Sequence, residues 1–134
     1  LEEFVEFCQQ TTRNGQILAK DPLIRHRLAE FAIELEAMRQ WAYYVAWLQS
    51  KGKPASAEPS AAKYISSELA VRFYNEVVDM MGLYGTLKEG SKWAALQGRF
   101  EYMCQWNLGL TIAGGTTETM KNIIAWQGLK LPRG

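Results

Sequence analysis

The segment Gly114-Gly115-Thr116-Thr117-Glu118 holds the residue types best suited to touching a ligand. Two adjacent glycines let a backbone come close to a bound group, because neither carries a Cβ. A helix opening directly after them presents N–H groups to a phosphate or a carbonyl oxygen. The same residues also make an ordinary helix start, in which Thr116 or Thr117 caps the first turn and Glu118 sits near the positive end of the dipole. Both readings need a last helix carrying Met120, Ile123 and Ile124, closed by Gly128 and Pro132.

Elsewhere the chain is poor in catalytic groups. Its single histidine, His26, lies between Arg25 and Arg27 and is expected to be solvated. There is no Ser/His/Asp set, no Walker-type phosphate loop and no Glu-x-x-His pair. Glu34 and Glu36 are not repeated on a second helix with histidine three residues on, so a di-iron or other metal site has little support. Cys8 and Cys104 lie far apart without Cys-x-x-Cys spacing. That pattern argues against zinc and against a disulfide framework, fits a reducing cytoplasm, and leaves each thiol as a small core hydrophobe.

The elements that position the glycine turn are helical. Leu1, Phe4, Val5 and Cys8 form one stripe opposite Glu2, Glu3 and Glu6, which predicts a helix to about Gln10, with Gly15 ending it. Asp21-Pro22 marks a second helix start, with a capping carboxylate before a proline in the first turn. From there Ile24, Leu28, Phe31, Leu35, Met38, Ala42 and Val45 recur at alternating steps of four and three, up to Lys51-Gly52. Trp41 and Leu48 widen this stripe, and the aromatic residues Trp41, Tyr43, Tyr44 and Trp47 are expected mainly in the core, the alternative being an exposed interface. Residues 53–59 read as a short polar linker with two prolines. A third helix from Ser60 carries Ile65, Leu69, Phe73, Val77 and Met81 and ends at Gly82 or Gly85. Residues 86–110 give mixed helical signals after a Gly90-Ser91 turn. The fold class is therefore all-α, an up-and-down four-helix bundle, with residues 1–134 as one domain.

Bulk properties limit the partners. The chain has 134 residues, 48% apolar and 22% charged, with a formal net charge of +1. That balance removes any electrostatic case for nucleic acid or an anionic membrane, and no apolar run reaches the roughly 20 residues of a membrane helix. Leu1-Glu2-Glu3-Phe4 lacks a basic n-region, so no signal peptide is read there. A chain opening on Leu1 in mid-pattern is expected to be a piece of a longer one.

The run Ile112-Ala113-Gly114-Gly115-Thr116-Thr117-Glu118-Thr119-Met120-Lys121-Asn122-Ile123-Ile124-Ala125, followed by Leu131-Pro132-Arg133, resembles the terminal signature of acyl-CoA dehydrogenases. Within that family it is most similar to bacterial lipid- and sterol-degrading members. Asp21 through Ala29, Glu34 through Arg39, Ser60 through Glu68 and Asp79 through Gly85 resemble further family segments in the same order. The resemblance implies that an N-terminal helical domain and a middle β domain precede this one in the parent enzyme. It implies FAD between the β domain and the bundle, an acyl-CoA substrate dehydrogenated at its α,β bond, an electron-transferring flavoprotein as electron acceptor, and a homo- or hetero-oligomer. It places Gly115, Thr116, Glu118, Arg13, Asp79 and Gly82 at flavin-binding positions, and Gly114 where many members carry the catalytic glutamate. Departures accompany the match. The family's Arg-x-x-Phe-Gly reads Thr11-Thr12-Arg13-Asn14-Gly15, its glutamine is Asp79, its second glycine is Leu83, and its Arg-Asp pair is Gln105-Trp106. The chain alone is expected neither to hold FAD tightly nor to turn over acyl-CoA. Two other readings stand beside an active enzyme: a non-catalytic subunit paired with an active homologue, and a purely structural bundle.

Overall fold

The computed structural model describes residues 1–53 and 55–133. Helix α1 (Glu2–Gln10) sets Phe4 and Cys8 on one face, where both are fully buried. It is followed by a small hairpin of β1 (Thr12–Arg13) and β2 (Gln16–Ile17), paired antiparallel with Arg13 opposite Gln16. The two residues between the strands, Asn14 (φ 52°) and Gly15 (φ 78°), take the left-handed values that a tight two-residue hairpin turn requires. Helix α1 thus stops at Gln10, and Gly15 belongs to the hairpin instead of the helix end.

Helix α2 (Pro22–Ser50) begins as its sequence predicts. Asp21 Oδ1 accepts the Leu23 N–H at 2.9 Å, and Pro22 fills the first helical position, where it has no hydrogen bond to lose. At the other end Gly52 (φ 63°) closes the helix, with the Lys53 N–H donating to Leu48 O at 3.2 Å. Helix α3 (Ala57–Met81) starts three residues earlier than expected, because Pro59 is tolerated in its first turn. The connection shrinks accordingly, and Pro54 within it lies outside the described residues. A 3-10 turn at Gly82–Thr86 follows α3, and the ambiguous stretch beyond it resolves into a second such turn, Ala95–Gly98, and helix α4 (Arg99–Leu110). Helix α5 (Thr117–Ile123) continues into a π-helical turn at Ile124–Gly128. Five α-helices among the described residues make the all-α class the observed one, and none is long and apolar enough to cross a membrane.

Two compact units divide the chain, and α2 and α3 contribute to both. The first comprises Leu1–Glu36 and Phe73–Cys104. Its core is aromatic: Phe31 meets Phe73 edge-on at 5.1 Å between ring centroids, Phe73 meets Phe100 at 6.4 Å, and Phe100 meets Phe4 at 5.6 Å. Val77 and Met81 extend it along α3. Such ring pairs add roughly 0.5–1.5 kcal/mol each beyond the area they bury. Arg99 grips both carboxylate oxygens of Glu3 at 2.7 and 2.9 Å. The backbone is contorted just before α4. Leu96 (φ 51°), Gln97 (φ 59°) and Gly98 (φ 71°) are consecutive left-handed residues, and a Cβ on Gly98 would fall 2.5 Å from the Glu89 nitrogen.

The second unit comprises Ala37–Arg72 and Gln105–Gly134. Leu48, Leu69 and Met120 are its buried apolar residues, joined by Ser60, Ser67 and Asn107. Ser60 donates to Ser56 O at 2.7 Å and Ser67 to Tyr64 O at 3.1 Å, so these hydroxyls are satisfied within α3 and its start. Trp41, Tyr43, Tyr44 and Trp47, expected mainly in the core, are exposed instead, Tyr43 by 63%. The seam of α2 is narrow, and in this half it runs through Met38, Val45 and Leu48. The rings lie beside it and stack on one another, Tyr44 against Trp47 at 6.0 Å, while Trp41 Nε1 reaches Glu58 O at 3.0 Å.

Burial pushes the Cys8 thiol up to about 11, partly offset by the charge of Arg13. A folded-state value above the ordinary one near 9 favours the protonated thiol, so its stabilising contribution is complete below pH 9 and is lost as pH rises from about 9 to 11. We expect the urea midpoint of the native chain to fall more steeply than that of Cys8→Ala across this window. Parallel curves would show that the thiol ionises freely in the fold. His26, by contrast, is solvated as its sequence setting implied, with Glu30 3.5 Å from Nε2.

Candidate functional site

The glycine turn is built from the end of α4 and the start of α5. After Leu110 the chain turns through Ala113, whose N–H donates to Gly109 O at 2.9 Å, and Gly115, whose N–H donates to Ile112 O at 3.2 Å. The two glycines have different roles. Gly114 (φ 71°) faces open space, with nothing within 4 Å of where a Cβ would be. Gly115 (φ 111°) packs against α5, and a Cβ there would lie 2.4 Å from Met120 Cε. Thr116 is the cap: its Oγ1 accepts the Thr119 N–H at 3.2 Å. Thr117 instead donates its hydroxyl to the Glu68 carboxylate on α3.

Glu118 is fully exposed in the first turn of α5. Its own backbone N–H and the Thr116 hydroxyl hold its carboxyl below the usual carboxylate range, with Lys121 adding a smaller push in the same direction. A carboxylate stabilised in this way is a weak proton acceptor, so Glu118 suits anchoring better than proton abstraction. Gly114 offers no base either. The turn can therefore admit and position a ligand, but it carries no proton-removing side chain.

The side chain that ties this turn to α3 belongs to no chemical motif of the sequence. Lys63 Nζ donates to Gly115 O at 2.6 Å and approaches Thr111 O at 3.4 Å. Lys121 lies 4.9 Å over the Tyr64 ring, a second link between α5 and α3. Both contacts join residues about fifty positions apart, which no local pattern reveals.

Arg13, Asp79 and Gly82 belong to the first unit. Arg13 Nη1 donates to Met80 O at 2.9 Å, at the C-terminal end of α3, and lies 4.0 Å from where a Cβ on Gly82 would be. Gly82 (φ 63°) is the left-handed residue just past that helix. Beside Arg13 opens a recess of about 370 Å³, lined by Phe7, Thr11, Met81, Tyr84 and Trp93 among others. Asp79 is exposed on α3, and its charge joins burial and Glu101 in raising the Cys104 thiol. Arg13 and Gly82 are thus brought together. The guanidinium, however, serves a helix C-terminus, where exposed carbonyls already make the field negative.

Residues 1–129 match the family model for the acyl-CoA dehydrogenase C-terminal domain. The chain belongs to that family. It is 34% identical over 137 residues to acyl-CoA dehydrogenase FadE26 of Mycobacterium tuberculosis, covering 99% of this chain and 34% of that protein. Among solved structures, the ChsE4-ChsE5 complex from Mycobacterium tuberculosis superposes with a TM-score of 0.91 at 33% identity, covering 99% of this chain and 35% of the other. The Tcur3481-Tcur3483 steroid ACAD superposes with a TM-score of 0.90 at 25% identity, covering 99% and 33%. The chain therefore spans about a third of the length of the relatives it matches. The acyl-CoA dehydrogenase fold accounts for the order of α1 to α5 and for the closing glycine turn.

Proposed function

We propose that this chain serves as the C-terminal domain of an FAD-dependent acyl-CoA dehydrogenase, contributing the Gly115-Thr116-Glu118 turn to flavin binding and its helical surface to oligomerisation. The observation that carries this reading is the turn itself. Gly114 leaves one side open, Gly115 takes a backbone conformation reserved for glycine, and Thr116 is fixed as a cap. These residues fit a flat polar ring system approaching the backbone, and no Cβ obstructs Gly114. FAD, when bound, would accept the β-hydrogen of an acyl-CoA thioester as hydride and pass its electrons to an electron-transferring flavoprotein. The residues of this chain bind and orient, and the α-proton must be taken by a carboxylate outside it. A cytoplasmic setting is in keeping with the free thiols Cys8 and Cys104. The likeness to a steroid ACAD makes lipid or sterol acyl-CoA thioesters the substrate class we assign.

A second reading is favoured by the first unit. Thr11 stands in place of a diphosphate-binding arginine, Arg13 is engaged with Met80 O, and Asp79 adds a negative charge on α3. This end does not fit a diphosphate. It fits a subunit paired with an active homologue that supplies the missing arginine, and the likeness to a two-component complex supports that pairing. The deciding measurement is bound-flavin absorbance of the full-length polypeptide, purified alone and after co-expression with a homologue. One flavin per chain without a partner supports the active enzyme. Flavin only in the mixed assembly, at one per pair of chains, supports the non-catalytic subunit. Flavin in neither sinks both.

A further inference from the structure

We propose that Lys63 is a positioning residue for the flavin-contacting turn, setting the plane of the Gly115–Thr116 peptide from α3. This inference rests on the flavin reading above. Gly115 is fixed from three sides. Its N–H is held by Ile112 O, its Cα is packed on Met120, and its carbonyl is drawn to the Lys63 ammonium at 2.6 Å. The peptide is planar and trans, so a carbonyl turned toward Lys63 aims the Thr116 N–H to the opposite side. One ammonium thereby orients a donor that it does not touch. The same ammonium approaches Thr111 O at 3.4 Å, just beyond α4, where the last carbonyls of a helix lack intrahelical partners and the dipole favours a cation.

The grip is not solitary. Five residues further along α3, Glu68 accepts the Thr117 hydroxyl, so α3 holds the chain on both sides of the Thr116 cap. Lys63 is half-buried, and a flexible four-carbon stem loses much rotamer freedom when its tip is fixed. A lysine held on two backbone carbonyls is therefore a device for keeping the turn in one geometry. Without it, Gly114 and Gly115 would let the turn sample other conformations, since glycine restricts its backbone least of all residues.

The test combines amide hydrogen exchange with flavin titration in the full-length protein, comparing the native chain with Lys63→Met and Lys63→Arg. Lys63→Met keeps the stem and removes the charge. Exchange over residues 112–120 should rise about tenfold or more in the flavin-free variant, the scale expected for losing a charged hydrogen bond. Residues 1–10 should be unchanged, flavin affinity should fall by a similar factor, and Lys63→Arg should restore both in part. Unchanged exchange over 112–120 overturns the inference. So does faster exchange with native flavin affinity, which would make Lys63 structural only. If Lys63→Met exchanges rapidly throughout, Lys63→Gln is the second variant, and native behaviour of its turn would equally overturn the proposal. A native protein that binds no flavin, alone or with a homologue, refutes the functional reading, while the exchange comparison still decides whether Lys63 holds the turn.

Discussion

Phe31→Ala is expected to destabilise the fold by about 3–5 kcal/mol, the range for deleting a large aromatic from a packed core. Phe31 is 1% exposed and meets Phe73 edge-on, and Phe73 in turn contacts Phe100. Truncation therefore removes the transfer energy of a ring, leaves a cavity beside Phe73, and ends one aromatic pair. A chain of this size has a total stability on the order of 5–15 kcal/mol, so the loss is a large fraction of the whole. In thermal unfolding it should appear as a fall in Tm on the order of 10–20 °C. Phe31→Leu keeps most of the volume and should cost about 1 kcal/mol. A Phe31→Ala cost under 1 kcal/mol would mean that Phe31 is not packed as described.

Gly98→Ala is the second large effect. The backbone at Gly98 is left-handed at φ 71°, which costs an alanine roughly 1–2 kcal/mol. The added methyl would also lie 2.5 Å from Glu89 N, 2.8 Å from Lys88 C and 3.0 Å from Leu87 O. All three are backbone atoms, so relief requires moving the 87–89 segment, a strain of about 1–3 kcal/mol more. The sum is a loss of about 2–5 kcal/mol, measured by urea unfolding. Gly114→Ala is the control. It has a similar φ but open space around it, so only the backbone cost applies. Equal losses at the two positions would show that crowding at Gly98 is absent.

Much of the architecture was readable because it rests on periodicity. The four-and-three steps from Ile24 to Val45 and the stripe from Ile65 to Met81 located α2 and α3, although Ile65 itself is exposed, and Asp21-Pro22 marked the start of α2 within a residue. The hairpin at Thr12–Ile17 is marked in the sequence by Asn14-Gly15 alone, a hairpin signal without strands long enough to support it. Two residues on each side are too few to show alternation. The start of α4 was hidden for a different reason. Leu96 and Gln97 take left-handed conformations that their residue types do not advertise.

The site was legible in composition and not in division of labour. Gly114 and Gly115 look alike in the sequence, and only the position of Met120 shows that the second packs against α5 while the first faces open space. Thr116 and Thr117 were equivalent cap candidates until Glu68, 49 residues away from Thr117, claimed the second hydroxyl. Lys63 could be seen only once α3 and the turn were brought together. The expectation that Trp47 and its neighbours lie mainly in the core fails because the seam of α2 is too narrow to cover rings that lie beside it.

The π-helical turn at Ile124–Gly128 bears on how this chain end can change in length. The Leu129 N–H donates to Ile124 O at 3.0 Å, five residues back, so the turn holds one residue more than an α-helix needs. Removing a single residue there would return the segment to ordinary α-helical winding without breaking its hydrogen-bonded ladder. An indel at this point is absorbed as a change of helical pitch, while Thr116 and Glu118 upstream keep their places.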